Sequence, residues 1–331
     1  MKALISERPG PAGTLVLGEL PDPLPGPGQL RVRVAACGIN YPDVLIVEDR
    51  YQFKPDRPFA PGGEVSGIVD LVGEGVTGFA PGDRVISCIG WGGLAEYAIL
   101  DAILCFKLPD SVPMDEAAAL LMTYGTSHHA LKDRARIRAG ETLLVLGAAG
   151  GVGMAAVELG KLMGARVIGA VSSEEKAAVA RERGADETIV YPRGDIDKAA
   201  ARKLTDAIKD AAGGTVDVVY DGVGGAYSEP ALRAISWEGR FLVVGFPAGI
   251  ASIPLNLPLL KGCAILGVFW GEFFRHSPDR NRANVNELLA HIEAGRLKPL
   301  ISARFPLERG GDAIAHLASR AAVGKVVVTV A

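Results

Sequence analysis

The run Leu143-Leu-Val-Leu-Gly-Ala148-Ala149-Gly150-Gly151-Val152-Gly153 sets a short apolar stretch directly before a glycine-rich turn, with a helical pattern after it. Strand, turn and helix in that order suit the binding of a dinucleotide's phosphates. The spacing is A-x-G-x-x-G, with Ala148 in the first glycine place. Gly150 would let the main chain approach a pyrophosphate, and Gly153 would let helix and strand pack closely. The first N–H groups of the helix and its dipole would face the anion. Ala149, Gly150, Gly151, Val152 and Gly153 are therefore candidate phosphate-binding residues; a glycine-rich turn of an ordinary α/β protein is the competing reading. The next apolar stretch, Arg166–Val171, ends in Ser172-Ser173 with no acid, and Lys176 follows one turn later. A carboxylate at that place would repel a ribose 2′-phosphate, whereas hydroxyls and an ammonium would accept it, which favours NADPH over NADH. Ser173 would equally serve as a helix cap, with Glu174 and Glu175 placed well for the dipole.

Other chemistry-bearing residue types are sparse. The four cysteines, Cys37, Cys88, Cys105 and Cys263, are widely spaced and form no C-x-x-C pair. A disulfide framework is not expected, and reduced thiols fit a cytoplasmic protein. Cys37 reads as a small buried hydrophobe, not a nucleophile. His128 and His129 are adjacent, so on a helix they diverge. The stretch Gly271-Glu-Phe-Phe-Arg-His276 with Arg280–Arg282 could meet an acidic substrate such as an acyl-CoA phosphate, though a solvated loop and helix start is the plainer reading.

The elements that must position these residues fall into two textures. The 331 residues suggest about two domains at roughly 100–200 residues each. With 49% hydrophobic and 22% charged residues the chain can form two cores, which excludes a disordered protein. A net charge of −3 gives no basic field for nucleic acid. No apolar run is long enough to span a bilayer, and the N-terminal stretch lacks the apolar core of a secretory signal. The first third alternates like half-buried strands at 30–35, 64–71, 84–88 and 94–100, broken by Pro- and Gly-rich turns such as Pro21–Gly28. A helix is expected over 117–131. Beyond Gly140, strands at 142–146, 166–171, 188–191, 216–220, 241–244 and 264–268 alternate with helices at 152–163, 173–183 and 196–211. Such alternation argues for a parallel sheet covered on both faces. A helix at 285–294 and a last strand at 325–330 returning to the first domain complete the reading.

The whole chain resembles the medium-chain dehydrogenase/reductase superfamily, and within it the zinc-free quinone oxidoreductase (zeta-crystallin-like) branch. The resemblance is carried by Cys37-Gly-Ile-Asn40-Tyr-Pro-Asp43, Pro58-Phe-Ala-Pro-Gly-Gly-Glu64, Phe79-Ala-Pro-Gly-Asp-Arg-Val85, Gly92-Gly-Leu-Ala-Glu-Tyr97, Tyr124-Gly-Thr126, Ala148–Gly153, Glu175-Lys176, Gly184-Ala-Asp186, Gly267-Val-Phe-Trp-Gly271 and Gly324-Lys325, in that order. It implies an α/β chain: a GroES-like twisted antiparallel β domain over 1–122, with 270–331 returning to it, and a Rossmann doubly wound domain over 123–269. Zinc-dependent relatives place a cysteine, a histidine and a third ligand where this chain has Asn40, Gly63 and the cysteine-free surroundings of Met122, so no zinc is expected.

Carried over residue by residue, the resemblance implies that Asn40 and Asp43 line the cleft near the nicotinamide, with Tyr41 and Tyr51 as candidates to stack on the acceptor or donate to it. Thr126 would touch the nicotinamide ribose with the Gly150 turn. Ser172, Ser173, Lys176 and Tyr191 would gather at the adenosine 2′-phosphate. Gly222, Val223, Gly245, Phe246, Phe269, Trp270 and Lys325 would complete the cofactor site. Without a Lewis acid, the acceptors are those that take hydride unaided: quinones, or activated C=C bonds as in an enoyl, alkenal or enoyl-thioester reductase. A non-catalytic NADPH-binding scaffold is the rival from another class. An exposed strand edge at 264–268 would pair with its copy in a homodimer.

Overall fold

The computed structural model describes residues 1–194 and 196–330, which divide into two compact units: Met1–Met122 with Val285–Ala331, and Thr123–Asn284. Among the described residues no helix is long and apolar enough to cross a membrane.

The first unit is built on strands β1 (Lys2–Ile5), β2 (Val16–Glu19), β3 (Gln29–Ile39), β4 (Glu64–Val72), β5 (Arg84–Cys88), β6 (Tyr97–Asp101) and β7 (Phe106–Lys107), joined from the C-terminal end by β14 (Ile301–Pro306) and β15 (Lys325–Thr329). The seven-stranded sheet runs β14-β15-β3-β4-β5-β7, β6 also pairs with β3, and β1 and β2 form a separate ribbon. β3 organises the unit because its alternation is strict: Leu30, Val32 and Val34 are fully buried, and the strand pairs antiparallel with β4, β6 and β15. The last strand thus returns to the first unit. The sheet is not wholly antiparallel, since β14 and β15 run parallel; the helix Gly310–Ala318 lies between them in the chain and makes the crossover such a pair requires. The short helix Tyr41–Val47, with Pro42 in its first turn, was not foreseen.

The second unit is a six-stranded sheet of β8 (Thr142–Leu146), β9 (Arg166–Val171), β10 (Glu187–Val190), β11 (Val216–Asp221), β12 (Ile235–Val243) and β13 (Ala264–Gly267) in the order β10-β9-β8-β11-β12-β13. Every neighbouring pair is parallel. Leu143, Leu144, Val145 and Leu146 are all fully buried, as a strand covered on both faces requires. The strand order reverses between β8 and β11, so the crevice at their C-terminal ends is the place where such sheets take ligands. The helices Gly151–Leu162, Glu174–Glu182 and Lys198–Ala212 follow β8, β9 and β10.

Several expectations differ in detail: the strand expected at 241–244 begins at Ile235, the one at 94–100 is Tyr97–Asp101, and the helix expected at 285–294 is Pro278–Glu293. The helix expected over 117–131 is instead a turn at Met114–Ala117, then π-type turns at Leu121–Gly125 and His129–Ala135 flanking Thr126–His128. Such turns add a residue per turn and re-aim the side chains that follow, which apolar periodicity does not reveal. The return to the first unit begins at Val285, not at 270. Residues 270–284 stay with the second unit because Phe273 stacks on His129, Trp270 Nε1–H donates to Asn281, and Asp133 accepts from Arg280 and Asn284.

Candidate functional site

In the second unit β8 ends at Leu146 and the chain turns at Gly147, whose φ of 74° favours glycine. Gly150 N–H donates to the Gly147 carbonyl at 2.9 Å, and the first bond of the following helix is Met154 N–H to Gly150 C=O at 2.8 Å. The N–H groups of Gly151, Val152 and Gly153 precede that bond and so point out of the helix's N-terminus. A Cβ on Gly153 would overlap the Gly147 carbonyl, whereas on Gly150 it would meet nothing nearer than 3.4 Å. Gly153 is therefore fixed by packing and Gly150 by the space it leaves open. Those features fit a dinucleotide diphosphate. Ser127 holds this helix in place: its Oγ donates to Val152 C=O at 2.8 Å and lies 2.9 Å from the Tyr220 hydroxyl. Thr126, next in the chain, is half-buried.

At the end of β9, Ser173 caps the next helix, its Oγ accepting Lys176 N–H at 3.3 Å. Its hydroxyl also keeps the exposed Glu175 carboxyl below the usual carboxylate range. Half-burial pushes the Lys176 ammonium down, and the charge of Arg193 adds to that effect. Arg193 is thus a second cation whose charge reaches Lys176. Arg193 lies in the loop after β10, and only its neighbourhood in space singles it out. Ser172 is half-buried, whereas Tyr191 is buried in the core and packs against Tyr227 with ring centroids 4.8 Å apart.

At the switch crevice Gly222 and Val223 follow β11, and Gly245 and Phe246 follow β12. The two loops are bonded to each other through Ala248 N–H to Val223 C=O at 2.9 Å and Gly225 N–H to Gly249 C=O at 2.7 Å. Phe246 and Phe269 are both about half exposed. Trp270 is placed within the core of the second unit. It is buried, its N–H is committed to Asn281 at 3.0 Å, and its ring lies where a Cβ on Gly125 would come within 2.8 Å.

In the first unit a buried polar cluster joins β3, β4 and β15. Lys325 Nζ donates to Asn40 Oδ1 at 2.7 Å, to Glu64 Oε2 at 2.8 Å and to Ile39 C=O at 3.5 Å, so its three protons are all directed into this unit. Asn40 Nδ2 donates to Gly38 C=O and Glu64 Oε2, and Met122 N–H donates to Glu64 Oε1. Asp43 is buried and accepts Asn40 N–H at 2.7 Å and Gly62 N–H at 3.1 Å. Burial raises its carboxyl to about 6, against the pull of those donors and of Lys325. Tyr41 is half-buried against the main core of this unit. Tyr51 packs on Ile46, Val47 and Phe59, meets Phe53 edge-on at 5.9 Å, and has its phenol pushed up by burial and by Asp43. The predicted residues thus form two groups: Asn40, Tyr41, Asp43, Tyr51 and Lys325 in the first unit, the remainder in the second.

This donor set does not fit a zinc ion. Gly63 offers no ligand, and a Cβ there would stand 2.9 Å from the Gly90 carbonyl oxygen. Asn40 is engaged at both ends of its amide, and Lys325 brings a positive charge among the would-be ligands. Cys37 is fully buried, with burial holding its thiol protonated. Among the described residues no three His, Cys, Asp or Glu side chains come together in a way that could hold a metal.

Residues 26–110 match the alcohol dehydrogenase GroES-like domain family and residues 151–291 the zinc-binding dehydrogenase family. The chain is 41% identical to the quinone oxidoreductase-like protein 2 homolog of Nematostella vectensis over 92% of its own length and 82% of that protein's. A mycobacterial protein, Rv1454c, solved in complex with NADPH, superposes with a TM-score of 0.92 at 30% identity over the full length of both chains. The Escherichia coli quinone oxidoreductase, also complexed with NADPH, gives a TM-score of 0.90 at 27% identity, again over all of both chains.

Proposed function

Because this chain belongs to the medium-chain dehydrogenase/reductase superfamily, in its quinone oxidoreductase (zeta-crystallin) branch, we propose that it is an NADPH-dependent, zinc-independent reductase of quinones. One observation carries the reading: the Gly150–Gly153 turn and its helix N-terminus stand at the sheet's switch point, with Lys176 and Arg193 grouped at the end of the neighbouring strand.

When bound, NADPH supplies a hydride from nicotinamide C4. The residues of this chain bind and orient. The N–H groups of Gly151, Val152 and Gly153 hold the diphosphate. Lys176 and Arg193 neutralise the 2′-phosphate, with Ser172 and Ser173 donating to it. Thr126, Gly222, Val223, Gly245 and Phe246 line the nicotinamide half, with Phe269 at its rim. Tyr191 acts from behind as core. Asn40, Asp43 and Lys325 keep their part of the first unit rigid, and Tyr41 and Tyr51 are that unit's candidates to meet the acceptor. A quinone needs no metal to take hydride, because reduction restores aromaticity, so positioning and water exclusion supply most of the rate. The zinc-independent reading rests on the donor set: Gly63 cannot ligate, and the Lys325 ammonium stands among the remaining polar groups.

A second reading, reduction of an enoyl or alkenal C=C bond, uses the same cradle and needs a proton donor for the α-carbon. Tyr51 is favoured for it, because burial keeps its phenol protonated. The third, a non-catalytic NADPH-binding protein, would keep the cradle and lack turnover. NADPH oxidation with benzoquinone, with naphthoquinone and with crotonyl thioester separates them. Quinone turnover preferring NADPH to NADH supports the proposal. Thioester turnover alone supports the second reading, and tight NADPH binding with no turnover supports the third. Failure to bind NADPH defeats all of them.

We further propose a cytoplasmic homodimer. The four free cysteines suit a reducing compartment. β13 is the sheet's edge, and beside it Trp237 packs on Gly262 while remaining 71% exposed. Leu259 and Leu260 on the preceding helix are exposed as well. Such an apolar edge suits a second copy of itself.

A further inference from the structure

Asp221 was passed over by the sequence reading because a lone aspartate at a strand end matches no motif. It is the last residue of β11, in parallel register with Leu146 of β8 on one side and Val243 of β12 on the other. It therefore stands at the point where strand order reverses.

Its carboxylate and its main-chain carbonyl bind both loops of the crevice and the start of the helix that follows the first of them. Carboxylate Oδ1 accepts Val223 N–H at 2.9 Å and Gly224 N–H at 2.8 Å. Oδ2 accepts the Ser228 hydroxyl at the start of the following helix. Its main-chain carbonyl accepts Val244 N–H at 3.0 Å and Gly245 N–H at 3.2 Å. The residue is buried, and among the described residues none of the partners of its carboxylate is a cation. A buried carboxylate held only by neutral donors is expensive to maintain, and burial raises its pKa accordingly. The two loops leave no slack. Gly224 has φ 75°, and a Cβ there would come within 2.6 Å of the Gly249 carbonyl oxygen and 3.1 Å of Phe246 Cα. The cross-loop bonds of Val223 and Gly225 complete the lock.

We propose that Asp221 is the positioning residue of the nicotinamide half of the cofactor site, fixing the 222–225 and 244–249 loops as one rigid wall. The inference rests on the NADPH reading above. Asp221 acts through the main chain of both loops, so its loss should be felt by the nicotinamide end of the ligand and not by the adenosine end.

The experiment compares NADPH with 2′,5′-ADP, which carries the adenosine and its 2′-phosphate but no nicotinamide. Dissociation constants are measured by calorimetry for the wild type, Asp221→Ala, Asp221→Asn and Ser228→Ala. The expected result is at least a tenfold loss of NADPH affinity in Asp221→Ala, with 2′,5′-ADP affinity within twofold of wild type. Asp221→Asn keeps the shape and one carbonyl acceptor, so it should fall between wild type and the Ala variant. It also carries the test if Asp221→Ala does not fold. Ser228→Ala should weaken NADPH by a few fold and again spare 2′,5′-ADP. Equal losses of both ligands would mean general damage and overturn the inference. So would variants that bind NADPH like the wild type while the wild type binds both ligands. A wild type that binds neither ligand overturns the NADPH reading itself, and this inference with it.

Discussion

Lys325 Nζ lies 2.8 Å from Glu64 Oε2, and both side chains are almost entirely buried, at 4% and 1% exposed. This ion pair ties the last strand of the chain to β4, and through Asn40 it reaches the end of β3. The Lys325 ammonium holds the ends of β3, β4 and the last strand together.

Breaking that pair one-sidedly should be severe. Lys325→Met leaves the Glu64 carboxylate buried beside neutral donors only, and removing one partner of a buried pair costs about 3–5 kcal/mol. The double variant Lys325→Met/Glu64→Gln removes the stranded charge and should recover a large part of the loss. Urea unfolding of the single and double variants gives the coupling directly. Additive effects of the two substitutions would mean that the pair is not a unit.

Cofactor choice should turn on the Lys176 and Arg193 pair. If the two cations bind the 2′-phosphate as proposed, replacing either by Ala should cost about 1.4 kcal/mol, or tenfold in NADPH affinity, each. NADH affinity should stay within twofold, since it lacks that phosphate. KM for the two nucleotides in quinone-dependent oxidation reads both numbers. A parallel loss for NADPH and NADH would remove the assigned role.

Asp43 should give stability a pH signature. Its carboxyl is raised from 3.8 to about 6 in the folded chain. A raised acid favours the folded state while it is protonated, so its contribution is complete below pH 4. The contribution then declines as pH rises through about 6, by about 3 kcal/mol in all. Glu64, Cys37, Tyr51 and Lys325 act electrostatically with it, so the signature is read by difference. The gap in melting temperature between wild type and Asp43→Asn should change between pH 4 and pH 7 and be flat above it. A constant gap over that range would contradict the assignment.

Much of this arrangement could be read in the chain. β5, β8 and β9 coincide with their expected bounds, because each is a compact apolar run closed by glycine or a polar cluster. The Gly150 turn was legible because its glycines answer to a backbone need, which Gly153 against the Gly147 carbonyl makes concrete. What escaped was set by tertiary placement. Arg193 and Asp221 lie in no motif, and they acquire meaning only beside Lys176 and between β8 and β12. The sequence likewise does not show that Trp270 packs over Gly125 or that Lys325 is bonded to Glu64 and Asn40, since both depend on distant partners. The π-type turns around Thr126 broke a helix whose apolar spacing gave no warning.

The edge of the second unit's sheet offers the last test. β13 pairs with β12 and is the last strand of the sheet; the Gly267 carbonyl at its end accepts Arg134 Nε–H at 2.9 Å, and Ile265 on it is 40% exposed. With Trp237, Leu259 and Leu260 nearby, that edge presents both strand-pairing groups and apolar cover for a second copy. Charge on such an edge is the usual means of preventing pairing. Ile265→Lys should therefore convert a dimer into a monomer in sedimentation velocity at micromolar concentration, while the variant's circular dichroism stays that of the wild type. If the wild type itself sediments as a monomer, the edge is closed some other way. If Ile265→Lys stays dimeric, the copies meet through a different face.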